Sequence, residues 1–300
     1  MNPRYSIVIV NYNSSAHVAR LLQTLRLFHG RDYEVIIFDN NSQPADRRAL
    51  AAFAGDTVRI IPADRNWMFS GGVNRAVAHA RGDILVIANP DLRLLAWDFS
   101  ALDRLYAGSP HFILGPLLLD GRGRQQASVY RAADLLAFAK QALFLDKIPL
   151  PWPWFTSFLY KPAPCDRSPV FAVTGSCLVL PRHTFDLLGG IDEHLHFFFE
   201  EIDLAYKARS RSVPVYYSNM IRARHEGQVT YRHTLGRYIY YWYCSLRYIL
   251  SLHQGTPMWQ IKLVGALWAV VRIAASLPAA AFSAGSRQRI SGCWSILRGL

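Results

Sequence analysis

The sequence predicts an α/β protein: a mostly parallel central sheet with helices on both faces, followed by a basic, aromatic-rich helical region at the C-terminus. Three observations predict it. Short apolar runs alternate with amphipathic stretches through the first hundred residues, the pattern of βαβ units. The apolar runs are continuous, as in Ile84-Leu85-Val86-Ile87-Ala88, which is how strands covered on both faces read. The charge is also uneven. Residues 1–203 hold 20 Lys/Arg and 20 Asp/Glu, while residues 204–300 hold 13 Lys/Arg and one acid, Glu226, so the net charge of +12 resides in the last third.

Taken in order, residues 6–10 read as a strand and residues 16–28 as an amphipathic helix with Val18, Leu21, Leu22 and Leu25 on one face. Residues 34–38 are a second strand, followed by Asp39-Asn40-Asn41-Ser42 and a helix opening near Pro44. Residues 58–61 give a third strand, residues 71–80 a helix and residues 84–88 a fourth strand, which Pro90 should end because it has no N–H for the ladder. From 110 to 169 the pattern breaks down: Gly121-Arg122-Gly123 is a turn and Pro151-Trp152-Pro153-Trp154 an irregular loop, with Trp152 and Trp154 free to stack on sugar or lipid or to pack the loop. Regularity returns over 170–180, a strand interrupted by Thr174-Gly175-Ser176. The loop Gly189-Gly190-Ile191-Asp192-Glu193, the aromatic run Phe197-Phe198-Phe199, an acidic helix start at Glu200-Glu201-Ile202-Asp203 and a strand over 213–217 follow. No internal repeat or low-complexity tract interrupts this order.

The tail interleaves its basic residues with Tyr238, Tyr240, Tyr241, Trp242, Tyr243, Trp259 and Trp268 among long aliphatic runs. That is the composition of an interfacial membrane element; RNA-binding modules also expose aromatics, but without so much aliphatic surface, so nucleic acid is not expected as a partner. The most apolar segment, 263–286, is broken by Arg272 and Pro278, short of the roughly 20 apolar residues of a span. A peripheral or shallowly inserted element, or a single re-entrant helix, is expected. The chain runs from Met1-Asn2-Pro3-Arg4 straight into a strand, so no secretory leader is expected. Cys165, Cys177, Cys244 and Cys293 have neither metal-type spacing nor a pairing pattern, which suits a reducing cytoplasm.

Polar clusters stand at three strand ends: Asn11-Tyr12-Asn13, Asp39-Asn40-Asn41-Ser42 and Asn89-Pro90-Asp91. In a parallel sheet such ends share one edge, where open α/β sheets bind ligands. Asp91 places a hard oxygen there, suited to a divalent cation that carries phosphates; the rival reading is a turn cap. Gly71-Gly72, between Asn66 and Asn74, would let backbone approach a phosphate or base. Neither GxGxxG nor GK[ST] occurs, so this is neither a dinucleotide fingerprint nor a Walker loop.

Val-Asn-Tyr-Asn, Asp-Asn-Asn-Ser, Asn-Trp-Met-Phe-Ser-Gly-Gly-Val-Asn, Asn-Pro-Asp, Val-Thr-Gly-Ser and Phe-Phe-Glu-Glu-Ile-Asp-Leu, in this order over residues 5–230, resemble the family 2 glycosyltransferases. Within them the chain is most similar to the rhamnosyltransferase-like subgroup that builds bacterial surface polysaccharides. The resemblance implies a GT-A fold over residues 1–230, with 231–300 a helical membrane-associating region. It also implies a nucleotide-diphospho-sugar donor, a divalent metal (Mn2+ or Mg2+) and inversion at the anomeric carbon. By the same resemblance Asp91 would be a metal ligand and Asn89 a neutral contact to donor or metal. Asp39 with Asn41 would meet the nucleotide, as would Asn11 and Asn13 on the first donor loop and Gly71, Gly72 and Asn74 on the second. Glu200-Glu201 matches a Glu-Asp pair whose second member is the base. Glu201 replaces the usual Asp, which leaves both carboxylates as catalytic candidates with Glu201 favoured. His225 would touch metal or diphosphate.

Three bland readings stand beside these. The acids at 200–203 could only complement a helix dipole, His225 could only shape a basic surface beside Arg222 and Arg224, and Thr174, Gly175 and Ser176 read equally as acceptor-binding or as a strand bulge. The expected activity is transfer of L-rhamnose from dTDP-rhamnose to a hydroxyl of a glycan or polyprenyl-diphosphate-linked acceptor. It would take place at the inner face of the bacterial cytoplasmic membrane, on an anionic membrane surface. A UDP- or GDP-sugar donor, or a catalytically silent nucleotide-binding scaffold, are the alternatives. A sugar nucleotidyltransferase is disfavoured, because Asn11-Tyr12-Asn13-Ser14-Ser15 supplies no basic Gly-rich loop.

Overall fold

The computed structural model describes residues 3–28, 30–145, 148, 158–195, 197–227 and 235–299. The loop expected at 151–154, with Trp152 and Trp154, and the expected domain boundary at 230/231 lie outside the described residues.

The first four strands, β1 (Tyr5–Asn11), β2 (Tyr33–Asp39), β3 (Val58–Pro62) and β4 (Ile84–Ala88), alternate with α1 (Ser15–Thr24), α2 (Pro44–Ala51) and α3 (Met68–Ala78). They pair in parallel, with Asn11 opposite Asp39 and Asp39 opposite Pro62. Successive residues of the buried strands enter two different cores. Ile7, Ile9, Ile37 and Val86 pack on one face, and Val8, Ile36, Phe38 and Ile87 on the other. Covering both faces is why these runs do not alternate.

Beyond β4 the chain adds β5 (Leu92–Trp97), α4 (Phe99–Gly108), β6 (Ile113–Leu119), and the short strands β7 (Val129–Tyr130), β8 (Leu159–Tyr160), β9 (Ser168–Pro169) and β10 (Ala172–Val173), with α5 (Leu135–Ala142) between β7 and β8. It then forms β11 (Cys177–Pro181), α6 (Arg182–Leu187), α7 (Glu200–Ser210) and β12 (Val215–His225). The main sheet runs β3-β2-β1-β4-β11-β6-β12-β5, with β9 paired to β12, and β10-β7-β8 form a small second sheet. The parallel half is therefore extended by β11, antiparallel to both β4 and β6.

The sequence reading lost the pattern where β6 lies, a central and almost wholly buried strand. Its Ile113-Leu114-Gly115-Pro116-Leu117 contains two residues that normally interrupt strands. Opposite Pro116, the partner β12 skips register between Ser218 and Arg222, so the missing N–H falls at an irregularity in the ladder. Gly115 is required there because a Cβ would stand 2.4 Å from Val173 Cβ on β10.

The last three helices are α8 (Leu235–Gln254), α9 (Met258–Ala280) and α10 (Ala284–Arg298). α9 includes both Arg272 and Pro278, the residues read as interrupting the apolar segment 263–286. Pro278 stands in its last turn, where only one helical hydrogen bond is lost. α9 is long and apolar enough to cross a membrane by length and composition, with 22% of its most apolar window buried. Together with α5 and α7 these helices close a third core around Phe199, Ile202, Tyr243, Leu246, Ile261 and Trp268.

Gly115→Ala should destabilise the fold by about 1–3 kcal/mol through overpacking, read as a lower urea midpoint; an unchanged midpoint would refute the close packing of β6 on β10.

Candidate active site

The site forms where β1, β2 and β4 end on one edge and β12 ends beside them. Asn11, fully buried, directs its amide Nδ2 at Asp39 Oδ1 (3.1 Å), Ser42 Oγ (3.0 Å) and Asp46 Oδ2 (2.8 Å). Asp39 is 2% exposed and its other oxygen lies 3.4 Å from Arg47 Nε. Asn13 and Asn41 both adopt left-handed backbone (φ 51 and 62), which Asn accepts better than most residues. Asn13 Oδ1 then accepts from the Gln43 N–H at 2.7 Å, and Asn41 Oδ1 accepts from Arg47. Asn40 ties this loop to the next: its Oδ1 accepts from the Trp67 N–H and its Nδ2 donates to the Met68 carbonyl, both at 2.7 Å. Asn40, Ser42 and Asp46 were not singled out in the sequence as holding the loops; the Asn-rich cluster at the end of β2 was the available signal.

The two glycines have a different local role from the one expected. α3 starts at Met68, so Gly71 and Gly72 are inside the helix and buried. A Cβ on Gly72 would meet Val10 Cγ1 at 2.7 Å, so this glycine lets α3 press against β1. Asn74 donates to the Ile191 carbonyl (2.8 Å) and accepts from its N–H (3.0 Å), which fixes the loop leading to α7.

Asp91 follows β4 directly. Its Oδ1 lies 3.4 Å from His225 Nε2, and its Oδ2 accepts from the Gly227 N–H at 2.9 Å. Burial pushes the Asp91 carboxyl up, but the His225 ring and the Gly227 N–H outweigh it and hold the group below the usual carboxylate range. His225 Nδ1 is 3.3 Å from Gln126 Oε1. The ring is thus held between Gln126 at Nδ1 and Asp91 at Nε2. A carboxylate oxygen and an imidazole nitrogen at this separation fit two adjacent ligands of one divalent cation. Among the described residues no group of three or more His, Cys, Asp or Glu side chains converges on such a point. The remaining coordination would have to come from diphosphate and water, the usual arrangement for Mg2+. Next to His225, Glu226 receives Arg93 (2.6 Å), Arg20 (3.5 Å) and His17 (3.6 Å), pinning the end of β12 to α1 and β5.

The carboxylate pair stands at the start of α7. Phe198 and Phe199 both have left-handed backbone (φ 72 and 68), a conformation costing about 1–2 kcal/mol per non-glycine residue. Phe199 is held there by burial against Trp242 and Phe158. Glu200 is 5% exposed with Oε1 lacking a hydrogen-bond partner; burial, then the charge of Glu201, raises its pKa well above 4.5. Glu201 is more exposed, with Gly175 packed against it and Tyr130 nearby. Burial raises its pKa too, and these two polar neighbours oppose the rise. Glu201 is thus the better-placed proton acceptor, with Glu200 a buried neighbour.

Thr174-Gly175-Ser176 links the two halves. Gly175 packs against Glu201, with space for a Cβ only 3.3 Å from Oε2. The Ser176 carbonyl accepts from the Asn89 N–H at 2.9 Å, and the Thr174 N–H donates to the Ser128 carbonyl at 3.0 Å, next to β7. Tyr130 carried no sequence signal, because its nearness to Glu201 depends on β7 pairing with the distant β10 in the small sheet.

Comparison with known proteins agrees with this geometry. A family model described as Glycosyl transferase family 2 matches residues 6–159. The chain is 28% identical over 213 residues, 66% of this chain and 68% of the relative, to an N-acetylglucosaminyl-diphospho-decaprenol L-rhamnosyltransferase of Mycobacterium tuberculosis. It is 22% identical over 235 residues (75% and 67%) to the low-salt glycan biosynthesis hexosyltransferase Agl10 of Haloferax volcanii. Among solved structures it resembles the mannosyltransferase PcManGT of Pyrobaculum calidifontis in complex with GDP-Man and Mn2+. The TM-score is 0.51 at 14% identity, over 99% of this chain and 88% of that one. It also resembles GalNAc-T7 with UDP, GalNAc and Mn2+, with a TM-score of 0.56 at 14% identity over 86% of this chain and about half (52%) of that one. The fold is the GT-A fold.

Two pH effects should follow. The acidic limb of kcat/KM should lie above the ordinary glutamate value of 4.5, because Glu201 must be ionised to accept a proton. Tyr130→Phe should move that limb higher still, since it removes a nearby hydroxyl that favours the ionised form; a limb unmoved by Tyr130→Phe would refute that influence.

Proposed function

This chain belongs to glycosyl transferase family 2, and on that premise we propose that it is an inverting, metal-dependent rhamnosyltransferase. It moves L-rhamnose from dTDP-rhamnose to a hydroxyl of a polyprenyl-diphosphate-linked glycan. Residues 1–230 form the transferase domain and residues 231–300 the region that associates with the anionic cytoplasmic face of the membrane. The observation that carries the reading is the pairing of Asp91 with His225 at the sheet edge, joined through residues 174–176 to Glu201. The Mycobacterium tuberculosis relative's rhamnosyl transfer to a diphospho-decaprenol acceptor supports the donor sugar and the acceptor class.

Asp39 accepts from the nucleoside, and the loops shaped by Asn11, Asn13, Asn40 and Asn41 hold it at the strand ends. Asp91 and His225 would hold the cation, with Asn89 beside them as a neutral contact. A bound divalent cation supplies neutralisation of the charge that grows on the leaving diphosphate. Glu201 takes the proton from the attacking hydroxyl. One base on the face opposite the leaving group gives single-step inversion, the logic known from glycosidases. Gly175 and its neighbours set how close the acceptor comes to Glu201. Glu200, buried and held neutral by its raised pKa, adds no competing charge.

Titration calorimetry of dTDP, UDP and GDP, each with and without Mn2+, tests the donor. Binding of dTDP that needs Mn2+ and is lost in Asp91→Asn is expected. Binding of UDP or GDP instead would replace the donor, and no binding at all would favour a silent scaffold. Glu201→Gln should lower kcat by roughly 10²–10⁴ without weakening dTDP; full activity in that variant would refute the base.

A further inference from the structure

The face of α9 turned away from the protein is apolar along its length. Trp259, Leu263, Leu267, Val270 and Leu277 are 65, 63, 41, 54 and 58% exposed, and their spacing keeps them on one side of the helix. At 1.5 Å per residue the stripe is about 30 Å long. The opposite side is taken: Trp268 stacks on Trp242 at 5.3 Å, and Gly265 packs against the Tyr243 ring. α9 is therefore built into the bundle and presents an exposed apolar face, the kind of surface that lies on a bilayer. No Asp or Glu follows Glu226 in the sequence, while eight Lys/Arg do, which complements anionic lipid.

At the N-terminal end of that stripe a hollow of about 380 Å³ opens between α8 and the loop entering α7, with His194, Tyr241, Arg247, Tyr248 and Met258 in its wall. Met258 is the first residue of α9 and precedes Trp259 of the stripe. Arg247 is half-buried and has no carboxylate partner among the described residues. The acid at the rim, Asp192, is already engaged by the Tyr248 hydroxyl and His194 Nδ1, both at 2.8 Å. Ser245, also in the wall, donates to the Phe197 carbonyl at 2.9 Å. Phe197 is four residues from Glu201, a span of at most about 14 Å, which a sugar and a diphosphate can bridge.

We infer that this hollow holds the diphosphate of a prenyl-diphosphate acceptor through Arg247, with the α9 stripe seated on the bilayer that contains the lipid's chain. The inference rests on the acceptor class proposed above and assigns it a place on this chain. Arg is suited to a phosphate because its planar fork donates two parallel bonds.

Calorimetry with farnesyl diphosphate tests it, using the full chain. Wild-type protein should bind farnesyl diphosphate at least tenfold more tightly than farnesol or inorganic pyrophosphate. Arg247→Ala should lose at least tenfold, Arg247→Lys should fall between, and dTDP binding with Mn2+ should be unchanged in both. Farnesyl diphosphate binding unaltered in Arg247→Ala, or pyrophosphate binding equally well, would overturn the site. The double variant Leu263→Glu/Val270→Glu should no longer sediment with phosphatidylglycerol vesicles; retained sedimentation would overturn the seat. Protein that binds farnesyl diphosphate through Arg247 yet transfers no sugar would refute the proposed activity alone. Transfer with an unchanged KM for a lipid acceptor in Arg247→Ala would refute this inference alone.

Discussion

The antiparallel register of β11 on β4 is the constraint on which the site depends. Cys177 pairs with Ala88, so the residue before β11 meets the residue after β4, and the Ser176 carbonyl takes the Asn89 N–H. One residue earlier, Gly175 lies against Glu201. The separation of the Asp91 loop from the carboxylate is thereby fixed by sheet pairing on one side and a close glycine contact on the other. A one-residue slip would turn every β11 side chain to the wrong core, and Val179 and Leu180 pack into opposite cores. Hydrophobic burial thus enforces a polar geometry it does not touch.

The carboxylates are positioned at an energetic cost. Two phenylalanines in left-handed backbone precede them, and both acids are pushed toward the neutral form by burial. What offsets this lies in the third core, where Phe199 and Ile202 pack with Tyr243 and Leu246 of α8. Strain of this kind persists only where the surroundings over-determine it. Gly175 and Tyr130 then stand beside Glu201, which separates two adjacent and chemically identical residues into a more exposed carboxylate and a buried companion.

The C-terminal helices consequently brace α7 as well as exposing apolar surface. Asp203, two residues past Glu201 and fully buried, lies 2.7 Å from Lys207 Nζ and 2.8 Å from His253 Nε2 of α8. The His253 ring stacks on Tyr206 at 4.5 Å, and Ser245 holds the Phe197 carbonyl. These contacts make α7 and α8 one packed unit. Asp203, whose place among the acids suggested a helix-dipole role, is a bridge between α7 and α8.

Much of the protein was legible in its sequence because the signals were local. Continuous apolar runs marked the parallel strands, since burial on both faces needs no partner identity to be read. Asn11, Asp39 and Asp91 stood at strand ends, and a parallel sheet must bring such ends to one edge. The excess of Arg and Lys with Trp and Tyr after residue 204 was likewise plain. Tertiary structure alone decided what depended on distant pairing. The pattern was lost where Gly115-Pro116 lie, because only the register shift in β12 accommodates them. That Gly72 also lets α3 press against Val10 of β1 was not readable from its neighbours in sequence. Tyr130 had no signal until β7 met β10. Glu200 and Glu201 could be told apart only by which one the fold buried, because neighbouring residues of the same type differ in nothing but the surroundings that folding gives them.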